Sequence, residues 1–200
     1  MAYAILGATV AAPRSFPRCD GISNFRAVVR KLWTDHMLWM RQYIISTLAN
    51  SPDREAVLQR LLTNQDAIAR SVITFLGPVN SLKLAKLLRE HIAIAGEVVL
   101  AAKAADAHKV GAAQQKWLQN AIAIATLLSK ANARWPQKTL FTMLQQHLDF
   151  TAKEVTARLA GNWTGDIAAF DAGFDHMLKF ADFLANGMLG MLQSVVGRKR

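Results

Sequence analysis

The stretch LAKLLREHIAIAGEV, residues 84–98, indicates the fold more clearly than any other part of the chain. Its apolar residues recur at steps of three and four, as on the buried face of a helix, and His91 lies on that face. The stretch LFTMLQQHLDFTAKE, residues 140–154, aligns with it without a gap at an offset of 56 residues and places His147 on His91. The two stretches predict equivalent helices of an internally duplicated chain.

One polar residue recurs in each predicted helix. The six follow one another at intervals of 27 to 29 residues: His36, Asn64, His91, Asn120, His147 and His176. An interval of this length fits one helix with its connecting turn. Large apolar residues lie one turn away from each of the four histidines, which places them on the buried faces of their helices. We therefore expect four helices to bring their histidines into a common interior.

Turn and capping residues divide the chain into six predicted helices: residues 24–49, 51–75, 81–104, 107–130, 136–159 and 166–190. Ser51-Pro52-Asp53 is typical of a helix start, Gly77-Pro78 is expected to end the second helix, and Asp166 is expected to cap the sixth. Short connections favour consecutive helices that pack as antiparallel neighbours. The predicted fold is therefore all-α, an antiparallel six-helix bundle built by internal duplication.

A length of 200 residues suits one domain with a substantial core. We expect a flexible basic leader over residues 1–22, the helical bundle over 23–192 and a basic tail over 193–200. The single cysteine, Cys19, provides no disulfide framework, which favours a reducing compartment and predicts a cytoplasmic protein. The sequence contains no run of about 18 uncharged apolar residues, so no transmembrane segment is predicted.

The net charge of +10 is concentrated at the ends of the chain. Residues 1–31 carry +4 and residues 198–200 carry +3, which leaves +3 for the residues between them. Nucleic-acid-binding proteins usually gather their basic residues on one folded face or place aromatic residues among them. Solvated tails are the simpler interpretation here. The alternative is weak, salt-sensitive contact of the basic ends with polyanions, either nucleic acid or an acidic membrane surface.

A histidine on a buried face must pair its ring nitrogens or it destabilises the core. Polar residues precede all four histidines in the sequence: Asp35, Glu90, Gln146 and Asp175. A side chain at the preceding position is turned by about 100° on the helix. It could therefore reach the histidine of an adjacent helix and orient its ring. Glu97, Glu154 and Asp182 are further carboxylates that such an interior could include.

Three interpretations of the histidines stay open: structural residues paired across the interior, ligands of a divalent metal, or an acid–base site in a pocket. The metal ligands would be His36, His91, His147 and His176. The carboxylates around them would be Asp35, Glu90, Glu97 and Asp175. Neither Glu-x-x-His nor His-Glu-x-x-His occurs in the sequence, which favours the structural interpretation.

Catalytic motifs indicate no reaction for this chain, and whether it is an enzyme is left open. A glycine-rich phosphate loop and a nucleophile elbow are absent from the sequence, and Cys19 is remote in sequence from every histidine. Two hypotheses for function remain. One is a non-enzymatic structural or interaction protein that self-associates as a homo-oligomer. The other is a metal- or small-ligand-binding bundle that uses the core histidines.

Several short segments together resemble an uncharacterised bacterial family of internally duplicated helical-bundle proteins. They include LWTDH at 32–36, RQYIIS at 41–46, LLTNQD at 61–66, LLREHI at 87–92, AAKAAD at 101–106 and DIAAFD at 166–171. The similarity covers roughly residues 32–186. It implies that the four histidines belong to the family pattern, and it supplies no activity. Labels such as acetylglutamate kinase or glycosyltransferase, sometimes attached to that family, have no support in this sequence.

Overall fold

The computed structural model describes residues 22–197, with side chains described for residues 24–191. This part of the chain is all-helical, as predicted. Its six helices are α1 (Ile22–Leu48), α2 (Arg54–Ser71), α3 (Ile73–Lys103), α4 (Ala107–Ala131), α5 (Gln137–Leu159) and α6 (Trp163–Gly197). Residues 1–21 and 198–200 lie outside the described residues, and so do the predictions made for most of the leader and for the end of the tail.

The chain leaves α1, α3 and α5 through the same backbone motif. The second residue after each helix end has a left-handed φ: 53° at Asn50, 53° at Ala105 and 67° at Gly161. The next amide in each case bonds the carbonyl five residues back, at 2.8 Å for Ser51, 3.1 Å for Asp106 and 2.9 Å for Asn162. This is the pattern of a Schellman C-cap, which satisfies carbonyls that the helix end would otherwise leave free.

The predicted break at Gly77-Pro78 lies inside α3 and does not separate the second helix from the third. α2 ends at Ser71, and α3 begins at Ile73 and is kinked at Gly77, where φ is 74° and ψ is 164°. Glycine takes this conformation at little cost, and Pro78 then occupies the first turn of the following helical segment, where its missing N–H is not needed. The Gly-Pro pair could be recognised in the sequence, but it bends the chain and does not form a loop between two helices.

The start of α6 also differs from the prediction. The helix begins at Trp163, and the side-chain oxygen of Asn162 accepts a hydrogen bond from the Gly165 amide at 2.9 Å. Asn162 therefore makes the capping bond that was assigned to Asp166, which lies in the first turn. The helix also continues past Gly190 to Gly197.

The helices form a bundle in which each packs against the next along the chain, and α6 packs against α1. α3 also contacts α1 and α5, so these three helices line the interior. The core between them is tightly filled, with Trp33 against Phe180 at 5.0 Å between ring centroids. A cavity bordered by both of these rings and by Trp135 has a volume of only about 20 Å³, room for about one water molecule. Among the residues that the structure describes, no helix contains an apolar stretch of the length needed to span a bilayer.

Candidate functional site

Three of the four singled-out histidines meet in the interior. His36 on α1, His91 on α3 and His147 on α5 are 3%, 4% and 3% exposed, which confirms the prediction of buried histidines. The Nε2 atoms of His36 and His147 are 3.4 Å apart. The rings of His91 and His147 stack with centroids separated by 6.1 Å. We call these three residues the histidine layer.

Gln65, which neighbours Asn64 on α2, is the residue that bears on where His36 and His147 carry their ring protons. Its Nε2 lies 3.2 Å from the Leu61 carbonyl and 3.1 Å from Oδ1 of Asn64, both acceptors, and 3.1 Å from Nδ1 of His36. This amide nitrogen has two protons for three neighbours, and the Oε1 of Gln65 is buried without a partner among the described residues. With the amide in this orientation, Nδ1 of His36 is an acceptor, the ring proton of His36 lies on Nε2 facing Nε2 of His147, and His147 carries its own proton on Nδ1. This Nδ1 is buried and has no hydrogen-bond partner among the described residues.

His91 has a partner at each ring nitrogen. Nε1 of Trp117 donates to Nε2 of His91 at 3.1 Å, which leaves the ring proton on Nδ1. Nδ1 lies 2.9 Å from Oδ1 of Asn120 and donates to it. The Asn120 amide in turn donates to the Leu87 carbonyl at 3.0 Å. The imidazole of His91 thus joins α3 to α4 through polar bonds that are complete in its neutral form.

The surroundings of the layer hold all three imidazoles neutral. Burial, together with the proximity of His91, lowers the pKa of His36 to about 3. Burial lowers the pKa of His91 to about 4, and burial together with the other histidines holds the pKa of His147 well below its ordinary value. The cause is desolvation, because a charged ring in this core would lose its water and face other rings at close range.

His176 lies outside the layer and bonds to the backbone. It is half-buried, and its Nε2 donates to the Met143 carbonyl at 2.7 Å. Met143 is four residues before His147. Asn64 donates in the same way to the Leu32 carbonyl, four residues before His36, and Asn120 donates to Leu87, four residues before His91. The three even-numbered helices therefore each place one donor on the same turn of the preceding helix.

The carboxylates expected around the rings make other contacts. Asp35 pairs with Lys31 at 2.8 Å and with Arg60 at 3.5 Å. Glu90 lies 3.8 Å from Lys86, Glu97 lies 2.9 Å from Lys116, and Asp175 is exposed. Amide and indole groups partner the rings instead, because they come from the adjacent even-numbered helices, whereas the residue before each histidine points away from the interior.

The four-histidine metal site stays a prediction. Among the described residues, no three His, Cys, Asp or Glu side chains are grouped so that they could hold a metal ion. His36 and His147 have facing nitrogens, whereas both nitrogens of His91 bond to protein groups and His176 bonds to a carbonyl.

A second buried polar cluster joins α1, α5 and α6. Arg41 donates to Glu154 at 2.7 Å and to both oxygens of Asp166, at 3.0 and 3.2 Å, and Arg158 donates to Asp166 at 2.7 Å. Glu154 and Asp166 are 3% and 1% exposed. Burial raises the pKa of Glu154 to about 7, against the opposing effect of Arg41. Glu154 could be singled out from the sequence, but its arginine partner, 113 residues away in the chain, could not.

Open grooves on the surface do not reach the histidine layer. A groove of about 900 Å³ runs between α3 and α4 past Glu90, Glu97 and Lys116. Another, of about 590 Å³, passes His176 between α5 and α6. None of the five cavities described for this part of the chain is bordered by His36, His91 or His147.

The fold and the interior define an all-α helical bundle with buried histidines. Comparison with protein families, with curated proteins and with solved structures gives no match to this chain. The resemblance to an uncharacterised duplicated family accordingly stays a prediction.

Proposed function

We propose that this chain is a non-enzymatic structural or interaction protein in which the histidine layer holds the helices together. The observation that supports this most directly is the bonding of His91. Trp117 and Asn120 occupy both of its ring nitrogens, so no lone pair or proton is left for a substrate. A catalytic acid or base needs a free nitrogen within reach of its reactant.

The surroundings of the layer support the same function. Residues that exchange protons or bind ligands normally border a cleft, whereas the three rings border none of the cavities described above. Their lowered pKa values keep the rings uncharged near neutral pH, as a packed core requires. The layer would thus provide directional bonds between helices that apolar contacts alone do not give.

Elemental analysis of untagged protein tests this function, combined with thermal unfolding in the presence and absence of added Zn²⁺. We expect less than stoichiometric metal and no shift of the midpoint. A stoichiometric metal that is lost in both His36→Asn and His147→Asn, but kept in the exposed-residue control His108→Asn, would contradict the proposal.

The second candidate function is metal binding between His36 and His147. Their Nε2 atoms, 3.4 Å apart, have the spacing of two nitrogens that each lie about 2.0–2.2 Å from one ion. Binding would require the proton of His36 to move to Nδ1, which faces the donor group of Gln65. Gln65→Glu would supply an acceptor at that position. If the site binds metal, this variant should raise the affinity for Zn²⁺, and Gln65→Leu should not.

The proposal includes an architecture of antiparallel helical hairpins related by internal duplication. Two sets of contacts support three related hairpins: the common C-caps after α1, α3 and α5, and the donors on α2, α4 and α6. His176 then occupies the position that asparagine occupies in the other two. We expect His176→Asn to retain about 1 kcal/mol more stability than His176→Ala, because asparagine can still bond the Met143 carbonyl. Equal losses in urea unfolding would argue against equivalence.

Cytoplasmic location and self-association belong to the same proposal. The first has support from the single cysteine. Light scattering after gel filtration at two protein concentrations measures the second. A mass that stays at one chain at both concentrations would remove the homo-oligomer from the proposal.

A further inference from the structure

One end of the bundle gathers the starts of α1, α3 and α5 and the later part of α6. Phe25 at the start of α1 contacts Phe75 at the start of α3, with ring centroids 5.4 Å apart. Arg30 on α1 bonds Asp182 on α6 at 2.6 Å. The Trp135 indole, just before α5, lies so close to Gly187 of α6 that a Cβ there would overlap it. We call this part the cationic end; it comprises residues 24–34, 67–86, 128–140 and 180–191.

The charge of the described part is divided unevenly between this end and the remainder. The cationic end holds nine Lys and Arg residues and one acidic residue, Asp182, which gives +8. The remaining described residues, 35–66, 87–127 and 141–179, hold ten basic and twelve acidic residues, which gives −2. The exposed cations at this end are Arg26, Arg30, Lys31, Arg70, Lys83, Lys86, Lys130, Arg134 and Lys138. Asp35 and Glu90, which pair with Lys31 and Lys86, lie just outside the counted ranges, and the excess of cations at this end remains when both are included.

Aliphatic side chains are exposed among these cations. Ile73, Val79 and Leu82 are 44%, 63% and 73% exposed. Val79, Leu82, Lys83 and Lys86 follow one another at helical steps of three, one and three, so they lie on one exposed face of α3. An apolar strip bordered by lysines is typical of helices that lie on a membrane surface.

We infer that the cationic end docks on an anionic lipid surface. The cations would interact with acidic headgroups, and the three aliphatic side chains would enter the boundary between headgroups and acyl chains. Nucleic acid offers the same negative charge, but its phosphate backbone gives exposed valine, leucine and isoleucine nothing to bury against, and single-strand binding surfaces use aromatic platforms. This surface is separate from the histidine layer, and the inference does not depend on the function proposed for that layer.

Vesicle flotation of the full chain tests the inference. The vesicles are phosphatidylcholine alone or phosphatidylcholine with phosphatidylserine, at low and at raised salt. We expect binding that requires phosphatidylserine and weakens with salt. Lys83→Gln combined with Lys86→Gln should lower the affinity by about thirtyfold, since each lysine near an anionic surface contributes about fivefold. Val79→Ser combined with Leu82→Ser should also lower it several-fold.

Matched variants elsewhere on the bundle serve as controls. Leu159, at the end of α5, and Ile167, near the start of α6, are 43% and 53% exposed, and Leu159→Ser with Ile167→Ser should leave binding unchanged. Lys109→Gln with Lys116→Gln removes the same charge from α4 and should have a much smaller effect than the α3 pair.

Four results would overturn the inference. They are binding without a preference for phosphatidylserine, unchanged binding of both α3 variants, stronger competition by single-stranded nucleic acid than by vesicles, and a Val79→Ser/Leu82→Ser variant that loses only self-association. The second of these would assign binding to the chain ends, and the last would assign the strip to a second copy of the chain.

Discussion

A buried imidazole stabilises a core only when its donor and its acceptor are both used, and His91 meets this condition. The Trp117 indole donates to one nitrogen, and the Asn120 oxygen accepts from the other. His147 differs, because its Nδ1 has no partner among the described residues. The layer therefore contains two rings with a partner at each nitrogen, His36 and His91, and one ring, His147, held mainly by packing and by a single bond from His36.

Removal of the His91 ring should leave two buried groups without partners. We expect His91→Ala to lower the free energy of unfolding by about 1–3 kcal/mol for the stranded Trp117 and Asn120 groups, with a further loss for the cavity. Urea unfolding followed by circular dichroism measures the change. The exposed His108 is the control, since His108→Ala should stay within about 0.5 kcal/mol of the parent. Equal effects of the two substitutions would show that the His91 bonds do not stabilise the fold.

The burial of the histidines could be predicted from sequence, but their partners could not. Spacing places His36, His91 and His147 on apolar stripes, and stripes report which face is buried. Partners depend on how neighbouring helices are rotated and offset, which one sequence does not encode locally. Gln65 was therefore missed although Asn64 beside it was singled out, and Arg41 was missed because its carboxylates lie on α5 and α6.

The C-caps of the odd-numbered helices provide a test at the level of the helix end. Ala105 and Gly161 occupy the same left-handed position, but only glycine adopts it without strain. Ala105→Gly should raise the free energy of unfolding by about 0.5–1 kcal/mol, and Gly161→Ala should lower it by about 1 kcal/mol. A Cβ at Gly161 would meet no atom within 4 Å, so the second change reports backbone conformation alone. Thermal unfolding of both variants measures the shifts in the unfolding midpoint. Two shifts of the same sign would contradict the prediction.

The contact between α6 and the connection before α5 depends on the absence of a side chain at Gly187. A Cβ there would overlap the buried Trp135 indole, so Gly187→Ala should lower the free energy of unfolding by about 1–3 kcal/mol through overpacking. Gly111 on α4 is exposed and has no atom within 4 Å of its Cβ position. Gly111→Ala should therefore stabilise the protein by about 0.5–1 kcal/mol through helix propensity. Chemical denaturation of the two variants should show changes of opposite sign in the free energy of unfolding.

Elements were predicted better than their ends. The apolar stripes are long and periodic, so all six helices were found, whereas boundaries depend on a few capping contacts. Gly77-Pro78 is a strong stop signal in sequence, yet the chain returns to helix at once and only bends. At the start of α6, Asn162 and Asp166 both suit a cap in sequence, but Asn162 makes the capping bond and Asp166 binds two arginines.

Across the whole molecule, the titratable groups of the interior work in opposite directions. The three histidines of the layer have lowered pKa values, so the folded state excludes protons that the unfolded state accepts. Glu154 has a raised pKa of about 7, so its folded form takes up a proton before its unfolded form does. The contribution of Glu154 is complete below its unfolded pKa of about 4.5 and is lost as the pH rises through 7. Because three histidines outnumber one carboxyl group, the histidines should decide whether the free energy of unfolding rises or falls with pH.

Mild acid should therefore destabilise the fold. Histidines in the unfolded chain titrate near pH 6.5, whereas His36 and His91 stay neutral in the folded state until about pH 3 and 4. Below pH 6.5 each of these groups should lower the free energy of unfolding by about 1.4 kcal/mol for every pH unit, until its folded pKa is reached. Urea unfolding at about pH 7 and about pH 5 measures the slope. His91→Gln should reduce the slope by one such increment and His108→Gln should leave it as it is, whereas a free energy of unfolding that does not fall over this range would show that the layer is already charged or open to water.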